Sequence, residues 1–337
     1  MKKRMRKISL LIVAVLALAG CEKVIELEPT IGDNLVLNAV PMPEKQAFVY
    51  FAHTHFFLDT SNCHPIDSVS MTLTVNGTDY LPDSVVRCRY YFPYVYAGGD
   101  SVEVHATAGN RQIEAHTYVP HMPQLSNIQF SYNAYGNTLR YYNAQFDLQD
   151  RPGERQYYIL QVMQRDSGMR FNEWFQQYDT VDTTHATYFM LRHNPEVTGD
   201  ASYVIPMMGY FYTRNMFNDD EIDGQNYQFQ IEIPHLIDTN EVEPFKHEYT
   251  VKIESVTFAR LRYVIDVARQ GNGFFAEQGQ VRGNVSGALG IFAGSARVEA
   301  PFWPDTIPTL PPNSVTSSYR PEERTIPHCL SLLKKKY

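Results

Sequence analysis

Ser70-Met71-Thr72-Leu73-Thr74-Val75 alternates polar and apolar residues and then meets Asn76-Gly77. Alternation with a period of two places every second side chain on one face of a strand, and Asn-Gly supplies the positive-φ pair of a tight hairpin turn. The same grammar recurs. Leu35 to Val40 and Ala47 to Phe51 read as a first strand pair, Ser101 to Ala106 follows a Gly98-Gly99 turn, and Gly109-Asn110 leads into Gln112 to Val119. A chain of 337 residues with 23 Tyr, 19 Phe, 20 Pro and 19 Gly carries strand formers and turn formers together. Strands at this spacing, with no helical period between them, predict a small antiparallel sandwich over 34–121. Pro120 and Pro123 mark its end.

The region 122–300 also reads as β-rich, with strands at Ala144 to Leu148, Gln156 to Gln164 and Asn226 to Ile233. One segment has a different period. Phe258, Leu261, Ile265 and Ala268 fall at spacings of 3, 4 and 3, which predicts one amphipathic helix over about 255–270. Gly271-Asn272-Gly273 stops it. Residues 301–337 contain Pro301, Pro304, Pro308, Pro311 and Pro312 and read as an extended tail ending in Lys334-Lys335-Lys336-Tyr337.

The first 21 residues carry an address. Lys2, Lys3, Arg4, Arg6 and Lys7 precede an apolar run from Leu10 to Leu18, of signal-peptide length and too short to span a bilayer. Leu18-Ala19-Gly20-Cys21 has the form of a bacterial lipobox, in which small residues admit the signal peptidase and the cysteine thiol takes a diacylglycerol. The expectation is a signal peptide over 1–20, lipidated Cys21, and an anchor and linker over 21–33. Its loss leaves 24 basic against 37 acidic residues, a formal charge of −13 compared with −8 for the whole chain. Such an acidic chain argues against nucleic-acid partners and against electrostatic attraction to anionic lipid, so membrane attachment is expected through the acylated cysteine. An exported chain meets an oxidising compartment, where Cys63 and Cys88, 25 positions apart, can form a bridge; two buried thiols are the alternative. Cys329 has no assigned role.

Chemical motifs are sparse. His53 and His55, with Asp59, Cys63 and His64, could be assembled into a zinc site, but the spacing matches no ligand pattern, and solvent-facing histidines are the preferred account. Asp219-Asp220-Glu221-Ile222-Asp223-Gly224 resembles the start of a calcium loop, yet its twelfth position is Gln230, where a bidentate Glu is required; a polar turn is preferred. G-x-S-x-G, P-loop and dinucleotide fingerprints are lacking. The reading is noncatalytic, with no cofactor and no metal. Tyr90 to Tyr96 and Tyr210-Phe211-Tyr212 are the densest aromatic runs, and packing is favoured over a ligand platform.

The chain resembles a family of uncharacterised Bacteroidota outer-membrane lipoproteins along nearly its whole mature length. The residues that carry the resemblance are Cys21 with Glu22-Lys23-Val24-Ile25-Glu26-Leu27-Glu28, then Leu35 to Asn38, Phe146-Asp147, Asp150, Pro152-Gly153 and Tyr157-Tyr158. They continue with Phe217-Asn218-Asp219-Asp220, Asp223-Gly224, Tyr263, Asn284, Gly287 and Leu289-Gly290-Ile291-Phe292, where Ala288 departs from the usual glycine-rich motif. The resemblance implies an immunoglobulin-like N-terminal sandwich before a β-rich domain, and a neighbour relation to SusC-like TonB-dependent receptors. The implied function is a transporter accessory; a stand-alone glycan- or peptide-binding protein and an adhesin are the other classes. Asp followed by Ser or Thr and then an aliphatic residue or Thr recurs at Ser68, Ser84, Ser101, Thr180, Thr183 and Thr306. The triplet resembles the O-glycosylation signal of the same phylum, and strand-opening turn chemistry is its alternative reading.

Overall fold

The computed structural model describes residues 34–54, 63–135, 139–191, 214–236, 241–270 and 281–302. Cys21, His55, Asp59, Tyr210-Phe211-Tyr212, Thr306, Cys329 and the tail after 302 lie outside the described residues. The chain is mainly β, with one helix among the described residues.

Strict alternation builds the first unit. Its strands are β1 (Leu35–Ala39), β2 (Gln46–His53), β3 (Val69–Val75), β4 (Thr78–Tyr80), β5 (Ser84–Val86), β6 (Arg89–Val95), β7 (Ser101–Ala108) and β8 (Arg111–Tyr118). Leu35, Leu37 and Ala39 of β1 face Leu73, Val75, Val102 and Val104 across a closed core, while the intervening residues face outward. Asn76 (φ 51°) and Gly77 (φ 80°) make the tight turn between β3 and β4. Tyr90, Phe92 and Tyr96 of the aromatic run are buried in this core, and Tyr94 packs half-buried against its edge. Cys63 and Cys88 are joined as a disulfide that ties the segment before β3 to the start of β6.

The second unit holds β9 (Gln124–Tyr135), β10 (Leu139–Gln149), β11 (Tyr157–Asn172), β12 (Gln177–Ala186), β13 (Met190–Leu191), β14 (Arg214–Asn218), β15 (Asn226–Leu236) and β16 (Glu241–Val256). They are followed by the helix α1 (Phe258–Gln270), then β17 (Leu289–Phe292) and β18 (Ser295–Phe302). One sheet runs β13-β15-β10-β9 and the facing one β12-β11-β16-β18, with β14 on β11. Between them lies an aromatic core that includes Tyr142, Phe146, Tyr158, Phe217, Phe229 and Tyr249. The helix begins later than the spacing suggests, because β16 continues to Val256 and Thr257 caps α1 through its Oγ1 and carbonyl. Leu261 and Ile265 pack on Ile159, Met216 and Val256, the outer face of the sheet. Phe258 stays 45% exposed and lies beside Tyr157, so the buried stripe is narrower than the sequence suggests. No helix among the described residues is long and apolar enough to cross a membrane.

The reading of 122–300 as one continuous domain is corrected by β17. Residues 284–292 return to the first unit, where β17 pairs in parallel with β1 as the edge of the sheet β17-β1-β2-β6-β5. Phe292 is fully buried in the first core. The glycine-rich motif is the cause. A Cβ on Gly290 (φ +118°) would overlap the Leu37 carbonyl, and one on Gly294 would overlap the Tyr118 carbonyl. Asn284 holds both backbone groups of Phe292 with its side-chain amide at 2.8 Å, and Asn38 Oδ1 accepts from the Ile291 amide at 3.0 Å. Across Gly294 the chain enters β18, and the Thr257 amide donates to its carbonyl. Two successive strands, β17 and β18, separated by Ala293-Gly294, therefore serve the two units.

Gly290→Ala is expected to lower stability by about 3 kcal/mol or more, since backbone must move, against about 1 kcal/mol for Gly77→Ala, which meets only conformational strain. Chemical denaturation of the two variants checks the order. Removal of the disulfide by Cys63→Ser with Cys88→Ser is expected to cost about 3 kcal/mol for a loop of this length.

Candidate functional site

Two places bring chemistry-bearing side chains together, one at the junction of the two units and one at the far end of the second. At the junction, the β10–β11 turn meets the turn after β14. Asp150 is 1% exposed and accepts from the Tyr158 hydroxyl at 2.6 Å and the Gly224 amide at 2.9 Å. Asp223 accepts from the Gly153 amide at 2.8 Å, and Asp219 from the Gln156 amide at 2.7 Å. The Tyr158 hydroxyl also contacts Gln156. Carboxylate oxygens of Asp150, Asp219 and Asp223 lie within 4.8 Å of one another. A cleft of about 260 Å³ opens beside them, lined by Gly153, Glu154, Arg155, Asp219, Asp220 and Asp223.

Burial is the main force on these acids. It pushes the carboxyls of both Asp150 and Asp219 above the ordinary 3.8, despite the hydrogen bonds that favour their ionised forms, and repulsion from Asp223 and Asp150 respectively adds to it. Burial likewise drives the Tyr158 phenol far above its usual range, so it acts as a donor to Asp150. The oxygen donors are of the type a hard cation takes. Their hydrogen bonds already account for where all three carboxylates sit, and the corner is a tie between two turns. Asp219 to Gly224 was read as a polar turn and is one; its partners Asp150, Pro152-Gly153 and Tyr158 are the other half of the same corner.

The second place is an arm. The core's last buried apolar residues are Val162 on β11 and Tyr249 on β16, and beyond them β11, β12 and β16 continue as a three-stranded ribbon. The ten residues after Val162, as far as Asn172, carry it roughly 30 Å further. Cross-strand contacts stiffen it. At its base His247 Nδ1 meets Asp166 at 2.8 Å, and His235 Nδ1 meets the Tyr249 hydroxyl at 2.8 Å, with the two imidazoles 4.3 Å apart. Burial raises the Asp166 carboxyl, but the bonds from His247 and Gln164 outweigh it and leave its pKa lowered. Arg165 bridges Asp182 and Glu248, Arg170 covers the Phe245 ring at 5.2 Å, and Phe171 pairs with Tyr178 at 5.1 Å.

The tip of this arm was not singled out in the sequence. Trp174 is 89% exposed and Phe175 73%, in a turn where polar residues are the norm. Asn172 Oδ1 accepts from both of their amides, at 3.1 and 3.3 Å, and its amide donates to Asp179 at 2.7 Å. The signal available was Asn172-Glu173-Trp174-Phe175-Gln176, two large aromatics between strands rich in Thr, Asp and Arg.

Other sequence candidates are dispersed. His53 and His64 pair through their backbones, and Cys63 is spent in the disulfide. Ser68, Ser84, Ser101, Thr180 and Thr183 are all exposed; Ser84 and Ser101 open β5 and β7, and Ser68 stands just before β3.

Residues 22–300 match the family described as Domain of unknown function (DUF4249). The chain belongs to this family. No curated protein matches it. The match spans both units, and within it lie the junction corner, the arm and the β17 motif.

Because the Asp150 and Asp219 carboxyls are raised on folding, their contribution to stability is complete below 3.8 and is lost as pH climbs through the raised values. Thermal unfolding across pH should show wild type losing ground to Asp150→Asn as pH rises from 3.8. In that variant the Asp219 titration should move down, since one repulsive neighbour is gone.

Proposed function

We propose that this protein is a noncatalytic lipoprotein of the outer membrane, displayed at the cell surface, and an accessory of a SusC-like TonB-dependent nutrient transporter. The basic start, the apolar run and Leu18-Ala19-Gly20-Cys21 support the anchor. The observation that carries the rest is the polarity of the fold. The chain enters β1 at Leu35, beside His53 and His64, and leaves β1 at Ala39 and Pro41, whose carbonyls accept from Ala293 and Ser295 at the junction. The second unit begins there, and β11 runs away from the junction, from Tyr157 opposite Val256 to Asn172. A lipid at Cys21 holds the first sandwich as a spacer and leaves the second as the working head. The polar pairs of the arm join strands, which supports a mechanical role over a chemical one.

Affinity purification of the tagged, lipidated protein from mildly solubilised outer membranes tests the reading. A stoichiometric TonB-dependent barrel is the expected companion, and a protein that emerges alone sinks it. The exposed aromatics at the arm's tip favour one other reading, a stand-alone glycan- or peptide-binding protein. It predicts thermal stabilisation of the isolated chain by ligand without any barrel.

A further inference from the structure

We infer that the Cys63–Cys88 disulfide is a redox latch on the first unit. It holds the β5–β6 turn in a backbone conformation that the turn's own residues disfavour, and its transfer to an external dithiol frees β5 from the sheet. The latch belongs to the first unit alone and does not depend on the accessory reading. Val86 pairs with Arg89, so only Arg87 and Cys88 separate β5 from β6. Both have positive φ, 49° and 61°. A two-residue turn of this kind favours Asn-Gly, and the β3–β4 turn uses that pair, Asn76-Gly77. Arginine and cysteine have neither glycine's freedom nor asparagine's local hydrogen bonding, and an L side chain in this region crowds the following carbonyl.

Such a conformation persists where its surroundings enforce it. Here Cys88 is buried, its carbonyl accepts from the Phe51 amide at 2.9 Å, and its sulfur is joined to Cys63. Cys63 is held in turn at the end of β2, because the His53 amide donates to the carbonyl of the adjoining His64 at 3.0 Å. What the latch governs is β5. Its three residues are all exposed, and it pairs with β6 alone as the edge of its sheet. Beyond that ladder, the Asp83 amide donates to the Tyr91 carbonyl at 2.9 Å. A strand held by few backbone bonds and no buried side chain opens easily, so its closure depends on the turn.

Cys63 is half-buried and Cys88 buried, so a thiolate of the dithiol attacks the Cys63 sulfur. A mixed disulfide forms there, and Cys88 departs as a thiolate and takes up a proton. The second sulfur of the dithiol then displaces Cys63, which leaves in the same way. Two protein thiols and one oxidised dithiol result. Arg87 and Cys88 are then free to leave the left-handed region, and the edge of β6 is uncovered. An oxidising compartment closes that edge and a reducing one opens it.

The test is amide hydrogen exchange of the full chain from residue 21, with Cys21→Ala and Cys329→Ser so that Cys63 and Cys88 are its remaining cysteines. Dithiothreitol is expected to speed exchange over residues 84–89 by about tenfold or more, while β3 and β7 stay slower than β5 and so report a folded sandwich. Cys63→Ser with Cys88→Ser should exchange like the reduced protein. Adding Arg87→Asn to Cys63→Ser and replacing Cys88→Ser by Cys88→Gly gives the turn an Asn-Gly pair without a disulfide. That variant is expected to return residues 84–89 to within about threefold of the oxidised protein. Exchange over 84–89 that is unchanged on reduction overturns the latch and leaves a disulfide that acts on the unfolded chain. A single common rate for β5, β3 and β7 after reduction also overturns it, because the opening is then global. Failure of the Asn-Gly pair to restore protection overturns the turn as the seat of the strain. A disulfide that dithiothreitol does not reduce in the folded chain overturns the exchange step and the latch with it.

Discussion

The close approach of Gly290 to the Leu37 carbonyl and of Gly294 to that of Tyr118 decides how the two β units relate. With any side chain at these positions, β17 could not lie against β1 or pass into β18. Because it does, the first core is completed by Phe292 and the second begins three residues later at Ser295. The connection carries hydrogen bonds from both sides: Ala39 and Pro41 accept from it, Thr117 holds the Gly294 amide, and Thr257 donates to it. A linker between domains is normally poor in such contacts. Here the link is a two-residue step, Ala293-Gly294, between two paired strands, and Arg282 adds a two-point clasp on Asp266 of α1 just before it.

That construction gives the other features their positions. The acidic corner sits on the junction side of the second unit, where two turns separated by some 70 residues are cross-tied by the buried carboxylate of Asp150 and the exposed one of Asp223. The corner costs ionisation energy and returns geometry, since it fixes the start of β11 and of β15 together. From that fixed base β11 runs outward for sixteen residues. A ribbon of this length gains stiffness from side-chain rungs along it, and Asp166–His247, Arg165–Asp182 and Phe171–Tyr178 are spaced along its whole reach.

Local pattern made much of the fold legible. Leu35 to Val40, Ser70 to Val75 and Gln112 to Val119 carry their strand state in the alternation of adjacent residues, and Asn76-Gly77 names its own turn. The helix was legible from three apolar spacings, although its first turn was not, because β16 and α1 share the residues around Val256. The return of β17 was beyond that kind of reading. Its partner lies some 250 positions away, and a four-residue parallel edge strand with one glycine has no periodic signature. The motif Leu289-Gly290-Ile291-Phe292 was visible as a family resemblance, and the need for close backbone packing could be inferred, but not against what. The arm escaped for a similar reason. Alternation in β11 and β12 predicts strands, but whether they lie on a core or pass beyond it depends on where the core ends.

The parallel pairing of β1 with β17 also sets an order of events. A chain that emerges from its amino end presents β1 and β2 long before residue 289 exists to cover the edge of β1. Closing so long a loop is slow, because its entropy is lost before the contacts that reward it are made. The first sandwich therefore stays unsealed until nearly the whole chain has emerged, and the two units mature together.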